Sequence, residues 1–209
     1  MLNKTSPKVI AAFDFDGTLT HRDLFFPFLI YASKKTSIPT KLLKIIPNFI
    51  LYGLGNLNRQ EVKERLIYEF LHKKSKKELY LIGEEFAKVV IPKYEREITL
   101  NCLKWHQSQG HECVIVSAGL NFYLQPWTLS KGITSLISSE LNFDASDAVI
   151  GTLKNGNCWG EEKVKRLIDR YGNKDNYILY AYGDSKGDEP LLQFADFAYY
   201  KNWPVTQNL

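Results

Sequence analysis

The sequence predicts an α/β protein: a parallel β-sheet covered by helices on both faces, with a helical block inserted near its start. Three observations predict it. Short apolar runs alternate with stretches of helical spacing, an order that argues for βα units around a parallel sheet. Two of these runs end in clustered carboxylates, Asp14 with Asp16 and Asp184 with Asp188. Between the first two runs, residues 24–109 read as helix, which is too much chain for a single crossover.

Taken in order, Val9-Ile10-Ala11-Ala12-Phe13 reads as a buried strand over about 8–13. After the helical stretch come a strand at 112–117, a helix at 121–131 and a strand pair near 136–152 with turn residues between its arms. A helix at 160–172, a strand at 177–182, a short helix near 188–195 and a strand at 196–200 complete the chain. The helical block is read as an inserted cap over residues 20–93. That leaves a discontinuous core domain of residues 1–19 and 94–209.

The 209 residues can bury one core, or one core with a small second domain. Apolar content of 44% with 24% charged residues is that of a soluble globular chain. Cys102, Cys113 and Cys158 are odd in number and contain no C-x-x-C pair, which favours reduced thiols over disulfides or zinc. Met1–Pro7 carries no long apolar segment of a signal peptide, so a cytoplasmic location is expected. Basic clusters such as Lys73-Lys74 and Lys76-Lys77 lack interleaved Arg and aromatics, so no nucleic-acid partner is expected.

Chemistry concentrates at the strand ends. Asp14 and Asp16 sit two residues apart where the first strand runs into Gly17-Thr18. Like charges this close are costly to bury, and a Mg²⁺ ion resolves the conflict because it is held through carboxylates and phosphate oxygens. Downstream, Val114-Ile115-Val116 ends in Ser117-Ala118-Gly119. A hydroxyl followed by the N–H groups of small residues opening a helix is a ready phosphate cradle, although the same tripeptide is often only a turn. Lys163 lies near the start of the helix that opens at Gly160, with Lys165 and Lys154 as competitors for its role. The strand Ile178–Tyr182 then leads into Gly183-Asp184-Ser185-Lys186-Gly187-Asp188. If the strands are neighbours, Asp14, Asp16 and Asp184 converge at the carboxyl edge of the sheet, where open α/β folds bind ligands.

The segment Phe13–Thr20 resembles motif one of the haloacid-dehalogenase-like phosphotransferases, and Ser117, Lys163 and Asp184/Asp188 follow in that family's order. The resemblance implies a Rossmannoid core and phosphoryl transfer through an aspartyl-phosphate, with Asp14 as nucleophile and Asp16 as acid/base. It implies that Lys163 neutralises charge and that Ser117, Ala118, Gly119 and Lys163 bind the phosphate. It implies that Asp14, the backbone carbonyl of Asp16 and Asp184 hold Mg²⁺, with Asp188 as a fourth acid or a group that orients water on the metal. Dehalogenases of the family lack the second Asp, which this chain has.

A cap between motifs one and two, with Ser-Ala-Gly at the second, resembles the phosphoserine-phosphatase-like branch. Residues His21–Phe28 carry no glutamate of the kind that reads phosphoserine's amine, and Gly187 replaces the branch's usual motif-four Asn. The apolar-rich cap and Asp184-Ser185-Lys186 with Asp188 through Leu192 resemble the bacterial phosphatidylglycerophosphatase C proteins, which dephosphorylate a lipid phosphate. Leu24–Ala32 and Leu42–Leu54 are apolar, separated by Lys34-Lys35 and Lys41, and each is too short to span a bilayer. Residues 20–95 hold 14 Lys+Arg against 8 Asp+Glu, so all of the chain's +4 excess lies there. Peripheral contact with an anionic membrane is one expectation for these helices, and packing into a small cap core is the other. The alternatives to a lipid phosphatase are a phosphatase of a small soluble metabolite and a non-catalytic binder of an anionic partner.

Overall fold

The computed structural model describes residues 7–33 and 37–204. Its centre is β1 (Lys8–Phe13), whose residues Ile10 through Phe13 are fully buried. A strand without polar alternation is what a sheet covered on both faces requires. Ala11 and Phe13 face one hydrophobic cluster, Ile10 and Ala12 the other.

On either side of β1 lie β2 (Glu112–Leu120) and β5 (Tyr177–Gly183), both parallel to it. The six strands run in the order β4-β3-β2-β1-β5-β6. The expected strand pair is a hairpin of β3 (Ser135–Phe143) and β4 (Val149–Lys154), and this pairing is antiparallel at the sheet's edge. β6 (Phe197–Tyr200) pairs parallel with β5 at the other edge.

Among the described residues the long helical stretch resolves into five α-helices and one 3-10 turn (Ile91–Tyr94): α1 (Phe25–Tyr31), α2 (Ile38–Gly53), α3 (Arg59–Leu71), α4 (Lys76–Val89) and α5 (Glu97–Ser108). Breaks between them follow local chemistry. Asn58 and Glu61 form a reciprocal cap at the start of α3, and Ser75 caps α4. Lys34 and Lys35, expected to flank the apolar stretches, lie outside the described residues, as do residues 1–6.

The inserted helices share a hydrophobic cluster with one face of the sheet. The rings of Phe28 (α1) and Phe86 (α4) lie 4.9 and 5.6 Å from that of Tyr123, on α6 (Asn121–Ser130). α4 crosses α6 at Gly83, where a Cβ would stand 2.1 Å from the Phe122 carbonyl oxygen. The opposite face is covered by α7 (Glu161–Tyr171) and α8 (Glu189–Phe194), through Leu167, Leu191 and Leu192. Cys102, Cys113 and Cys158 are buried free thiols.

Candidate active site

The site forms at the carboxyl ends of β1, β2 and β5, three adjacent parallel strands. Asp14 follows β1 directly, and its N–H donates to the Tyr182 carbonyl of β5 at 2.9 Å. That bond extends the strand pairing by one residue and fixes where the carboxylate emerges. The chain then turns through Gly17, whose φ of +85° is open to glycine and strained for other residues. Arg96 clamps this turn, donating from Nη2 to the Gly17 carbonyl at 3.0 Å and from Nε to that of Thr18 at 3.2 Å. The turn aims the two aspartates differently. Asp14 faces Lys163, while Asp16 accepts the Leu24 N–H at 2.8 Å and lines a cavity under the inserted helices.

Lys163, in the first turn of α7, is buried. Its Nζ donates to Asp14 Oδ1 at 2.6 Å, Asp188 Oδ1 at 2.6 Å and the Val116 carbonyl at 2.8 Å. All three protons of the ammonium have an acceptor. Burial alone would push its pKa down, but the Asp14 and Asp188 carboxylates outweigh it and hold the group charged. The rival lysines are exposed and turned elsewhere: Lys165 lies 3.9 Å from Glu162, and Lys154 3.4 Å from Glu140.

Asp188 is spoken for on both oxygens. Its Oδ2 accepts from Ser185 Oγ at 2.8 Å and from the Ser185 and Asp184 N–H groups at 3.0 and 3.2 Å. Burial raises its pKa, but Lys163 and these bonds reverse that and leave it below the ordinary carboxylate value. The residue therefore braces the motif-four loop and Lys163 together. Gly187 is small because the Trp159 indole fills its side-chain space; a Cβ there would lie 2.2 Å from Nε1.

Asp14 behaves differently. Burial raises its pKa to about 7 despite the pull of Lys163. For Asp16, burial comes first and the charges of Asp23 and Asp14 second, and together they hold its carboxyl well above the ordinary value. A carboxyl shifted in this direction is suited to holding and passing on a proton.

Asp14, Asp184 and Asp188 each offer a carboxylate oxygen within 4.8 Å of the others. Among the described residues, Asp184 Oδ1 is buried with no hydrogen-bond partner. An orphaned carboxylate oxygen among other carboxylates suits a hard divalent cation such as Mg²⁺. Asp16's carboxylate is not in this group, which leaves its backbone carbonyl as the atom it can offer a metal.

The expected phosphate cradle needs one correction. Ser117, Ala118 and Gly119 do not open a helix. They lie within β2, which continues to Leu120, in a stretch where the register with β3 shifts. The Gly119 N–H is taken by Ser117 Oγ at 2.9 Å. Pairing with β3 resumes at Leu120, so the irregular stretch stays in the sheet instead of starting α6.

Lys63 of α3 belongs to no sequence motif of the site. It is buried, donates to the Ala118 carbonyl and to Asn157 Oδ1 (2.8 Å), and lies 4.9 Å from the Phe25 ring centroid. Burial lowers its pKa to about 8, against the pull of Asp16 and Asp23. A signal was present: Lys63 precedes Leu66 and Ile67 at helical spacing, on the buried stripe of α3. Arg96 and Asp23 left no such trace.

A Gly17→Ala chain tests the tightness of motif one. The new Cβ would lie 2.3 Å from Asp184 Oδ2 at a positive φ. The expected result is a loss of more than about 1 kcal/mol by urea unfolding, with activity reduced as Asp184 is displaced.

Residues 11–193 match the model of the haloacid dehalogenase-like hydrolases. The chain belongs to that family. Protein CicA of Caulobacter vibrioides is 31% identical over 189 residues, covering 90% of this chain and 83% of that one. A histidinol-phosphatase of Neisseria meningitidis serogroup C is 27% identical over 194 residues, covering 89% and 86%. A phosphoserine phosphohydrolase-like protein from Francisella tularensis shares the fold at a TM-score of 0.61 and 24% identity, covering 93% of this chain and 88% of its own. The family match runs from within β1 through α8 and includes the helices between β1 and β2.

Proposed function

We propose that this hydrolase is a Mg²⁺-dependent phosphomonoesterase acting through an aspartyl-phosphate on Asp14, with residues 20–93 as the cap that selects an amphiphilic substrate. The leading substrate class is a lipid phosphate such as phosphatidylglycerophosphate. The observation that carries the chemistry is the division of labour at motif one. Asp14 is paired with a buried ammonium, and Asp16 is turned into the cavity with its carboxyl held above the ordinary pKa.

The Asp14 oxygen not held by Lys163 attacks phosphorus, and the ester P–O bond breaks. Asp16 gives its proton to the leaving alkoxide. It then takes a proton from water as that water's oxygen attacks the phosphoaspartate, which releases phosphate and restores Asp14. Lys163 lowers the charge that would otherwise repel the phosphate dianion. Mg²⁺, held by Asp14, Asp184 and the Asp16 carbonyl, would supply further neutralisation of that charge. Asp188 acts through Lys163 and the loop it braces, and Ser117, Ala118 and Gly119 supply the phosphate side of the pocket.

The substrate reading rests on the cavity. It holds about 450 Å³ and is walled by Phe25, Phe26, Phe49 and Tyr52 beside Arg22, Arg59 and Lys63. Aromatic and cationic side chains lining one cavity suit a molecule that is apolar in one part and anionic in another. A second reading is a small amine-bearing phosphomonoester, favoured by Asp23 in the same cavity and by the relative called a histidinol-phosphatase. Hydrolysis with Mg²⁺ of phosphatidylglycerophosphate in detergent micelles, against phosphoserine and histidinol phosphate, separates them. A kcat/KM higher for the lipid phosphate is expected; one higher for the soluble esters overturns the lipid reading. Loss of activity in EDTA and its return with Mg²⁺ is the expected metal response.

Asp16→Asn probes the acid role. With an alkyl phosphate, kcat is expected to fall roughly 10²–10⁴-fold. With p-nitrophenyl phosphate, whose leaving group needs no proton, the loss in aspartyl-phosphate formation is smaller. Equal losses on both substrates, read by burst kinetics, would place the defect elsewhere.

A further inference from the structure

We infer that α2 is a membrane-docking helix that lies in the surface of an anionic bilayer and brings the cavity mouth to it. This rests on the lipid-phosphate reading above, which gives the helix its reason. α2 runs 16 residues with Lys41 and Lys44 as its charged side chains and no acid. Ile45 is buried, yet Leu43, Ile50 and the following Leu54 are 67%, 57% and 69% exposed. Ile46 and Phe49 are exposed too. This concentration of large apolar side chains on one element is beyond the scatter normal for a soluble surface.

Position and charge identify the occupant. Phe26 and Phe49 line both the apolar groove along α2 and the cavity that reaches Asp16. A molecule entering from the exposed face of α2 therefore meets apolar side chains from the surface down to the reacting groups. Residues 20–95 carry the chain's whole positive excess, and Lys44 stands on α2 with its side chain largely exposed, 3.3 Å from Glu69 of α3. An anionic lipid surface complements that charge. A second copy would set the same basic element against itself. Among the described residues no helix is long and apolar enough to cross a membrane, so α2 lies on the bilayer and does not span it.

Flotation with vesicles of phosphatidylcholine and phosphatidylglycerol tests the assignment, using the full chain and the variants Leu43→Glu and Ile50→Glu. Both residues lie outside the catalytic cavity, so hydrolysis of soluble p-nitrophenyl phosphate is expected to stay unchanged and certifies the fold. Vesicle binding is expected to drop at least about tenfold in each variant, and to weaken in the wild type when phosphatidylglycerol is omitted. Wild-type protein that ignores the vesicles, or variants that bind as well as the parent, overturn the inference. So does a concentration-dependent dimer that the same substitutions dissociate. Micellar phosphatidylglycerophosphate separates the two readings. Hydrolysis without vesicle binding removes only the docking helix; vesicle binding without hydrolysis removes only the lipid substrate.

Discussion

Asp14→Asn is expected to lower kcat by about 10⁴-fold or more while leaving the protein folded. The substitution keeps the shape of the side chain and removes the nucleophilic oxygen. Stability should change little, for a physical reason. Burial already raises the Asp14 carboxyl to about 7, so its charge is held at a cost that a neutral amide does not bear. Lys163 keeps the Asp188 carboxylate and the Val116 carbonyl as acceptors. The check has two parts: steady-state hydrolysis of p-nitrophenyl phosphate with Mg²⁺, and intact mass after acid quench during turnover. Wild-type protein should gain the mass of one phosphoryl group, and the variant should not. Activity surviving in the variant would sink the covalent route. A wild type that takes up no phosphoryl group and hydrolyses nothing would favour the non-catalytic alternative.

How much of this was legible beforehand depended on whether the physics was local. β1 could be read because a strand covered on both faces must be apolar throughout, and Val9–Phe13 is. Asp14, Asp16 and Asp184 could be read because carboxylates at strand ends, next to glycine, have few structural reasons to be there. Lys163 needed the family's spacing, since a lysine in a first helical turn is by itself unremarkable; only the fold shows Lys165 and Lys154 turned to surface acids. The end of β2 is not legible in the sequence because Ser-Ala-Gly is small enough for either a turn or an irregular strand, and only pairing with β3 decides between them. Lys63, Asp23 and Arg96 depend on how the inserted helices fold back over β1, and no short window of sequence encodes that. The exposed face of α2 was visible as an apolar stretch. Whether it was core or surface was a tertiary question.

Lys163→Met is expected to cost roughly 3–5 kcal/mol of folding stability, because it leaves Asp14 and Asp188 buried without their shared cation. For a chain of this size that is a fall in Tm of roughly 6–20 °C. Methionine keeps most of the volume, so the loss is electrostatic and not a cavity effect. Acid pH separates it from a general packing defect. In the wild type, Lys163 and the Ser185 bonds hold Asp188 below its ordinary value of 3.8. That contribution is present above 3.8 and is lost as pH falls through the folded-state pKa. In the variant the carboxyls rise under burial. A raised pKa stabilises most below the unfolded value and loses that contribution as pH climbs through the folded one. Urea unfolding without metal should therefore differ at the acid end: wild-type stability falls below about pH 4 as Asp188 is protonated, whereas the variant shows no such fall and gains more on acidification from neutrality than the wild type, whose Asp14 is already raised to about 7. Adding Asp188→Asn to Lys163→Met should restore part of the loss at neutral pH, since one of the two uncompensated charges is gone. Parallel acid slopes, or a double variant no more stable than the single, would mean that Lys163 does not bridge the two aspartates. Asp14 would then have lost the counter-charge on which its attack at phosphorus depends.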